Sequence, residues 1–187
     1  MNYNEYIKIA YDTACKHGFH DKELPLDHWL MLVITEVSEM VEADRKGKRA
    51  QSAMFKRECS TPQPNENKKK HWLFCFDTFV KDSFEDEMAD ACIRLFDLSG
   101  LLGFEYKYHE DSNENYLRQY KEASVTEKAF ALCLILTRNM ATIEWRIENA
   151  LFYLVSWAKA EGIDLEWHIA QKMEYNEQRA RLHGKKY

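Results

Sequence analysis

The chain has 187 residues, 45% hydrophobic and 30% charged, with six Gly and three Pro, a balance that fits a single all-α domain and leaves too little turn punctuation for a strand-rich fold. Its formal net charge of -5 argues against a duplex nucleic-acid binder, which carries a basic face. Five cysteines, odd in number and without metal-type spacing, suggest neither a disulfide framework nor a zinc site and point to a reducing cytoplasm, and no apolar run approaches the ~20 residues of a membrane span.

The residues from Tyr3 to His17 read as a first helix with Gly18 as its stop. His17 and His20 are separated by that glycine, so they read as helix-end charges rather than paired metal ligands. Asp27, after Pro25, is the expected N-cap of the next helix. That helix contains LMLVITEVSEMVEADR, Leu30 to Arg45, in which Glu36 and Glu39 interrupt an apolar pattern. Residues three apart share a helix face, so the two carboxylates project together beside a stripe of Val33, Ile34, Val37, Met40 and Val41. The basic tail with Lys46, Lys48 and Arg49 reads either as solvated charge at a helix C-terminus or as a contact for a bound polyphosphate.

Thr61 to Lys70 is Pro-rich and polar and is expected to be a loop, while HWLFCFDTFV is expected to join the core. Ser83 and Asp86 resemble a capping box opening a second acidic helix that carries Glu87 and Asp90 and closes at Gly103. Arg94, four residues after Asp90, is either a surface partner or a group that orients Asp90 toward a metal. A connector with a short helix around Tyr116 to Lys121 follows. Thr126 is the expected N-cap of a long helical stretch that breaks near Asn139 to Thr142 and ends at Gly162. Asp164 then caps a last helix, stopped by Gly184, whose polar face carries Lys172, Asn176 and Arg179.

Four acids on two half-buried helices need a counter-charge, because unit charges 4 Å apart near a surface repel by about 4 kcal/mol; a divalent cation is the usual solution. Ferritin-like di-iron bundles use Glu-x-x-His pairs, and none of the seven histidines has a glutamate three residues before it. His20-Asp21 alone is a weak signal for an HD-type phosphohydrolase. The non-enzymatic alternative is a catalytically inactive helical interaction or nucleotide-binding module with merely solvated acids.

Glu36-x-x-Glu39, then Glu87-x-x-Asp90, then GIDLEWHIAQKMEYNEQRA with Lys172, Met173 and Asn176, together resemble the all-α nucleoside triphosphate pyrophosphohydrolases, the MazG and dimeric dUTPase superfamily. The resemblance implies an all-α helical bundle in which Glu36, Glu39, Glu87 and Asp90 bind Mg2+, or Mn2+ in its place. It implies cleavage of a nucleoside triphosphate between its α and β phosphates, giving the monophosphate and pyrophosphate in a nucleotide-pool role. Glu36 or Glu39 would be the general base, and Lys172, Asn176 and Lys48 would contact phosphate or sugar. Base preference is not legible, since Trp29, Trp72 and Trp145 cannot be ranked as pocket aromatics, and the sequence leaves open whether the chain forms a homodimer.

In compact members of that superfamily the ExxD helix runs straight into the GIDL turn, whereas here a long segment separates Asp90 from Gly162. Asp90 stands thirteen residues before Gly103 and Asn149 thirteen before Gly162, so DACIRLFDLSGLLGFE aligns on NALFYLVSWAKAEGID without a gap. Matching Thr35 to Thr137 likewise sets Arg138 opposite Glu36 and Ala141 opposite Glu39. The alignment leads us to expect a degenerate tandem duplication rather than a chance match of amphipathic helices, with pseudo-repeats over 22–125 and 126–187, the first keeping the acids and the second the KMxxN helix.

Overall fold

Phe84, Met88, Ala91, Leu95 and Leu98 recur at alternating intervals of four and three, which places them on one side of a helix. Cys92, Phe96 and Ser99 are buried as well, so this helix is enclosed on most sides and forms the axis of the molecule. The computed structural model describes residues 2–106, 121–184 and 186. Among these, eight α-helices and no strand are found: α1 (Tyr3–Lys16), α2 (Leu26–Arg45), α3 (Ser52–Cys59), α4 (Asn65–Phe79), the axial α5 (Phe84–Leu102), α6 (Val125–Leu136), α7 (Ile143–Glu161) and α8 (Leu165–Glu177), then a 3-10 turn at Arg181–Gly184. The all-α expectation holds.

Helices α1, α2, α7 and α8 all pack on α5. The main core joins Val33, Val37 and Met40 of α2 to Leu95 and Phe96 of α5 and to Leu151, Leu154 and Trp157 of α7. Each such side chain, fully buried, contributes about 1.5–3 kcal/mol, so the core readily holds a few polar groups. A smaller cluster of Phe55, Cys75, Phe76 and Val80 lies where α3 and α4 meet, against Trp72, Trp167 and Tyr175. Part of HWLFCFDTFV is therefore core, although Phe74 is 62% exposed.

Several boundaries differ from the sequence reading. Pro25 occupies the N-cap of α2 and Asp27 sits in its first turn, where it faces the positive end of the helix without making a side-chain cap. Helix α4 starts at Asn65, so the lysine run is helical and only the residues just before it form the connection. Ser124, not Thr126, caps α6, through a reciprocal capping box with Glu127. At Ser83 the hydroxyl does accept from the Asp86 N–H, but the Asp86 carboxylate turns to the Asp82 N–H instead of the Ser83 one. Helix α8 ends at Glu177, before the expected stop at Gly184. The break between α6 and α7, the Asp164 cap and the left-handed Gly103 and Gly162 fall where expected. The short helix expected around 116–121 lies outside the described residues, apart from its last position.

The proposed repeats correspond unevenly. Helices α5 and α7 each have 19 residues, each open on a hydroxyl cap that accepts from the third helical N–H, and each close on a left-handed glycine. Helix α6 has 12 residues against 20 in α2, and Thr137 is its C-cap, so Arg138 and Ala141 lie beyond the helix rather than at helical counterparts of Glu36 and Glu39. The pairs α2 with α5 and α6 with α7 pack on each other through α2·α6 and α5·α7 contacts.

Candidate metal centre

Ser83 fixes the first turn of α5, which presents Asp86 and Glu87 at the positive end of that helix. Facing it, α2 buries its Val33, Val37 and Met40 stripe and so carries Glu36 and Glu39 toward α5. The result is a cavity of about 230 Å³ lined by Glu36, Glu39, Glu87, Asp90, Lys172 and Asn176 among others. Six of the seven residues singled out from the sequence meet there. The seventh, Lys48, is not part of the lining; it is about half exposed and lies 3.6 Å from Asp82.

Carboxylate oxygens of Glu36, Glu39 and Glu87 all lie within 4.8 Å of one another. Glu36 is buried and accepts the Arg94 Nε–H at 2.8 Å. Burial and the Asp90 charge still outweigh that arginine, pushing the Glu36 carboxyl up to about 6. Glu87 is buried with no ion pair among the described residues, and burial followed by the Asp90 charge outweighs the nearby Lys172 and pushes it up to about 9. Glu39 is exposed to the cavity and, among the described residues, is held by no hydrogen bond or ion pair. Three acids with one arginine between them make a site short of positive charge.

Asp90 is drawn the other way. Its Oδ2 lies 2.9 Å from Lys172 Nζ, which also reaches Asp86 Oδ2 at 2.7 Å, and its Oδ1 accepts from Asn176 Nδ2 at 3.4 Å. Burial alone would raise the Asp90 carboxyl, yet Lys172 holds it below the ordinary aspartate value. Lys172 in turn stays charged because the two aspartates overcome its burial. The four predicted acids thus divide into a cluster of three and an aspartate neutralised by the KMxxN helix. Lys172 and Asn176 are 4% and 7% exposed, so what reads as a polar face of α8 is an inward one.

Sequence reasoning missed several members of this site. Asp86 appeared only as a cap, although its spacing from Asp90 is the four-residue interval that lets one lysine reach both. Arg94 was paired with Asp90, while its Nε–H bond goes across to α2. The His20–Asp97 contact, 2.7 Å and buried, joins positions 77 apart and left no local signal. Lys81 and Arg179 also line the cavity, where the sequence pointed to Lys48 for phosphate.

No family model matches this chain. No curated protein and no solved structure matches it either. Function is therefore argued from the site alone. Three convergent carboxylates are hard oxygen donors of the kind that magnesium and manganese take, and the burial and Asp90 repulsion that outweigh Lys172 at Glu87 are what a cation would relieve. The donor set fits such an ion.

Proposed function

We propose that the chain is a magnesium-dependent nucleoside triphosphate pyrophosphohydrolase of the MazG-like and dimeric dUTPase-like type, converting a (d)NTP and water to a (d)NMP and pyrophosphate. The observation that carries this reading is the Glu36, Glu39 and Glu87 cluster, deficient in positive charge and open to a cavity that also holds the KMxxN residues. Glu36, Glu39 and Glu87 would hold the ion, with Asp90 beside them. A magnesium ion supplies neutralisation of the triphosphate oxygens when bound.

The chain's own groups have distinct tasks in this account. Arg94 occupies Glu36 Oε1 and fixes that carboxylate, so Glu36 serves as a ligand. Glu39, which no described side chain holds, would keep one carboxylate oxygen toward the ion and with the other take the proton of the water that attacks the α phosphorus. The bond from that phosphorus to the bridging oxygen breaks, and pyrophosphate leaves. Lys81 and Arg179 at the cavity wall offset the charge of the departing group. Lys172 keeps Asp90 and Asp86 ionised and placed.

One observation favours a second reading, that of an inactive nucleotide-binding or interaction module. Lys172 already pairs with both Asp86 and Asp90, so two of the five acids, set against Glu36, Glu39 and Glu87, have a cation without a metal. Glu39→Ala separates the two. Assayed on a panel of canonical and modified nucleoside triphosphates, loss of magnesium-dependent pyrophosphate release with an unchanged circular dichroism spectrum supports the enzyme. No turnover by the unmodified chain supports the module.

A further inference from the structure

Cys59 and Cys75 meet where α3 packs on α4. Cys59 is the last residue of α3, and the link from Ser60 to Pro64 leads into α4, which carries Cys75. The two side chains belong to the small cluster built on Phe55 and Phe76, and their thiols are hydrogen-bonded to each other. Both are free thiols. The remaining cysteines lie on other helices, Cys15 on α1, Cys92 inside α5 and Cys133 on α6.

The pair is asymmetric. Cys75 is fully buried, whereas Cys59 is half-buried and lines an open pocket of about 610 Å³ together with Lys68, Lys69 and His71. His71 stands one turn before Cys75 on α4 and anchors the inner sulfur. A carbonyl only accepts, so His71 Nε2 carries the hydrogen in its 2.9 Å contact with Glu58 O, and the same nitrogen lies 3.7 Å from Cys75 Sγ. The outer thiol is open to a reagent, and the inner one is held within reach of it.

We infer that Cys59 and Cys75 form a redox modification site, which a small disulfide of the glutathione class converts to an internal disulfide joining α3 to α4. The Cys59 sulfur attacks one sulfur of oxidised glutathione and forms a mixed disulfide, and the first glutathione leaves as a thiol with the Cys59 proton. The Cys75 sulfur then attacks the Cys59 sulfur, the mixed bond breaks, and the second glutathione leaves with the Cys75 proton. Two protein thiols lose two electrons, and one reagent disulfide becomes two thiols. Burial, followed by the contact with Cys75, pushes the Cys59 thiol up to about 12, which slows both the attack and the return to the reduced pair. The bond is a clamp, not a rapid relay. It fixes the α3–α4 link beside Phe76, whose ring stacks on Tyr175 at 4.5 Å, and Tyr175 lines the metal cavity. This site stands independently of the triphosphate reading.

The test is incubation of the unmodified chain with excess oxidised glutathione at alkaline pH, then alkylation of the remaining thiols and peptide mass mapping. One internal bond between the peptides of Cys59 and Cys75 is expected, formed faster as pH rises and reversed by dithiothreitol. The bonded chain is expected to melt roughly 6–12 °C higher, the shift that closing a loop of this length brings. Cys59→Ser is expected to remove both the bond and the shift, while Cys75→Ala is expected to stop at the Cys59–glutathione adduct. An adduct on Cys59 that persists in the unmodified chain, or recovery of both thiols free after the treatment, overturns the inference.

Discussion

Arg94 donates its Nε–H to Glu36 Oε1 across 2.8 Å, tying α5 to α2 at the floor of the cavity. Among the described residues the guanidinium is the one cation ion-paired to the three-acid cluster, and both partners are largely shielded from water. Charge-assisted bonds of this kind are among the stronger hydrogen bonds in proteins. Arg94→Gln is therefore expected to leave Glu36 unoriented and to weaken magnesium binding about tenfold, the lower end of what loss of a supporting contact costs a metal site. Isothermal titration with magnesium checks this, and unchanged affinity would show that Glu36 needs no such support.

Lys172 bridges Asp86 and Asp90 in a buried setting. Removing one partner of a buried ion pair strands charge, which costs about 3–5 kcal/mol. Lys172→Met is expected to lose stability on that scale in denaturant melts, and adding Asp86→Asn is expected to recover part of the loss. Full additivity of the two substitutions would deny their coupling.

Above pH 7 the pH dependence of the metal-free chain carries the mark of Glu87. Its folded carboxyl titrates at about 9, above the ordinary value of 4.5. Between those limits the folded state holds a proton that the unfolded state has released, so stability is fully present below pH 4.5 and falls as pH rises toward 9. Thermal melts in a chelator are expected to show a melting temperature that declines from pH 7 to pH 9, above the range in which His168 and His183, pushed down by burial to about 4 and about 3, add an opposite slope. Glu87→Gln is expected to flatten that decline, and magnesium to reduce it while releasing protons on binding. A melting temperature that rises over this range would contradict the assignment.

Gly100 lies inside α5, where glycine costs ~1 kcal/mol against alanine, yet a Cβ there would stand 2.5 Å from Tyr11 Cβ. The close approach of α1 to α5 explains the glycine and frames the cavity. Gly100→Ala is expected to destabilise by roughly 1–3 kcal/mol despite its better helix propensity, a fall in melting temperature of several degrees. A stabilised variant would mean that α1 is free to move away.

Helical periodicity was enough to read α1, α2, α5 and the α6–α7 break, because long amphipathic segments carry their pattern locally. The caps were less legible where two candidates stood close together: Ser124 and Thr126 both have hydroxyls, and only Glu127 three residues after Ser124 decides between them. Spacing of three brought Glu36, Glu39 and Glu87 to one cluster through two helices that face each other. The fate of Asp90 was not readable, since its partners lie on α8, more than 80 residues on. The same distance hid Asp86 as a lysine partner and concealed the contribution of α1 to the cavity wall. Helix packing creates those relationships, and no local pattern records it.

Phosphorus NMR of the reaction products tests the central claim most directly. With magnesium and a nucleoside triphosphate that the chain accepts, the account predicts nucleoside monophosphate and pyrophosphate as the first products, absent when Glu39→Ala replaces the unmodified chain. Diphosphate with inorganic phosphate, or no product from any triphosphate offered, would contradict it.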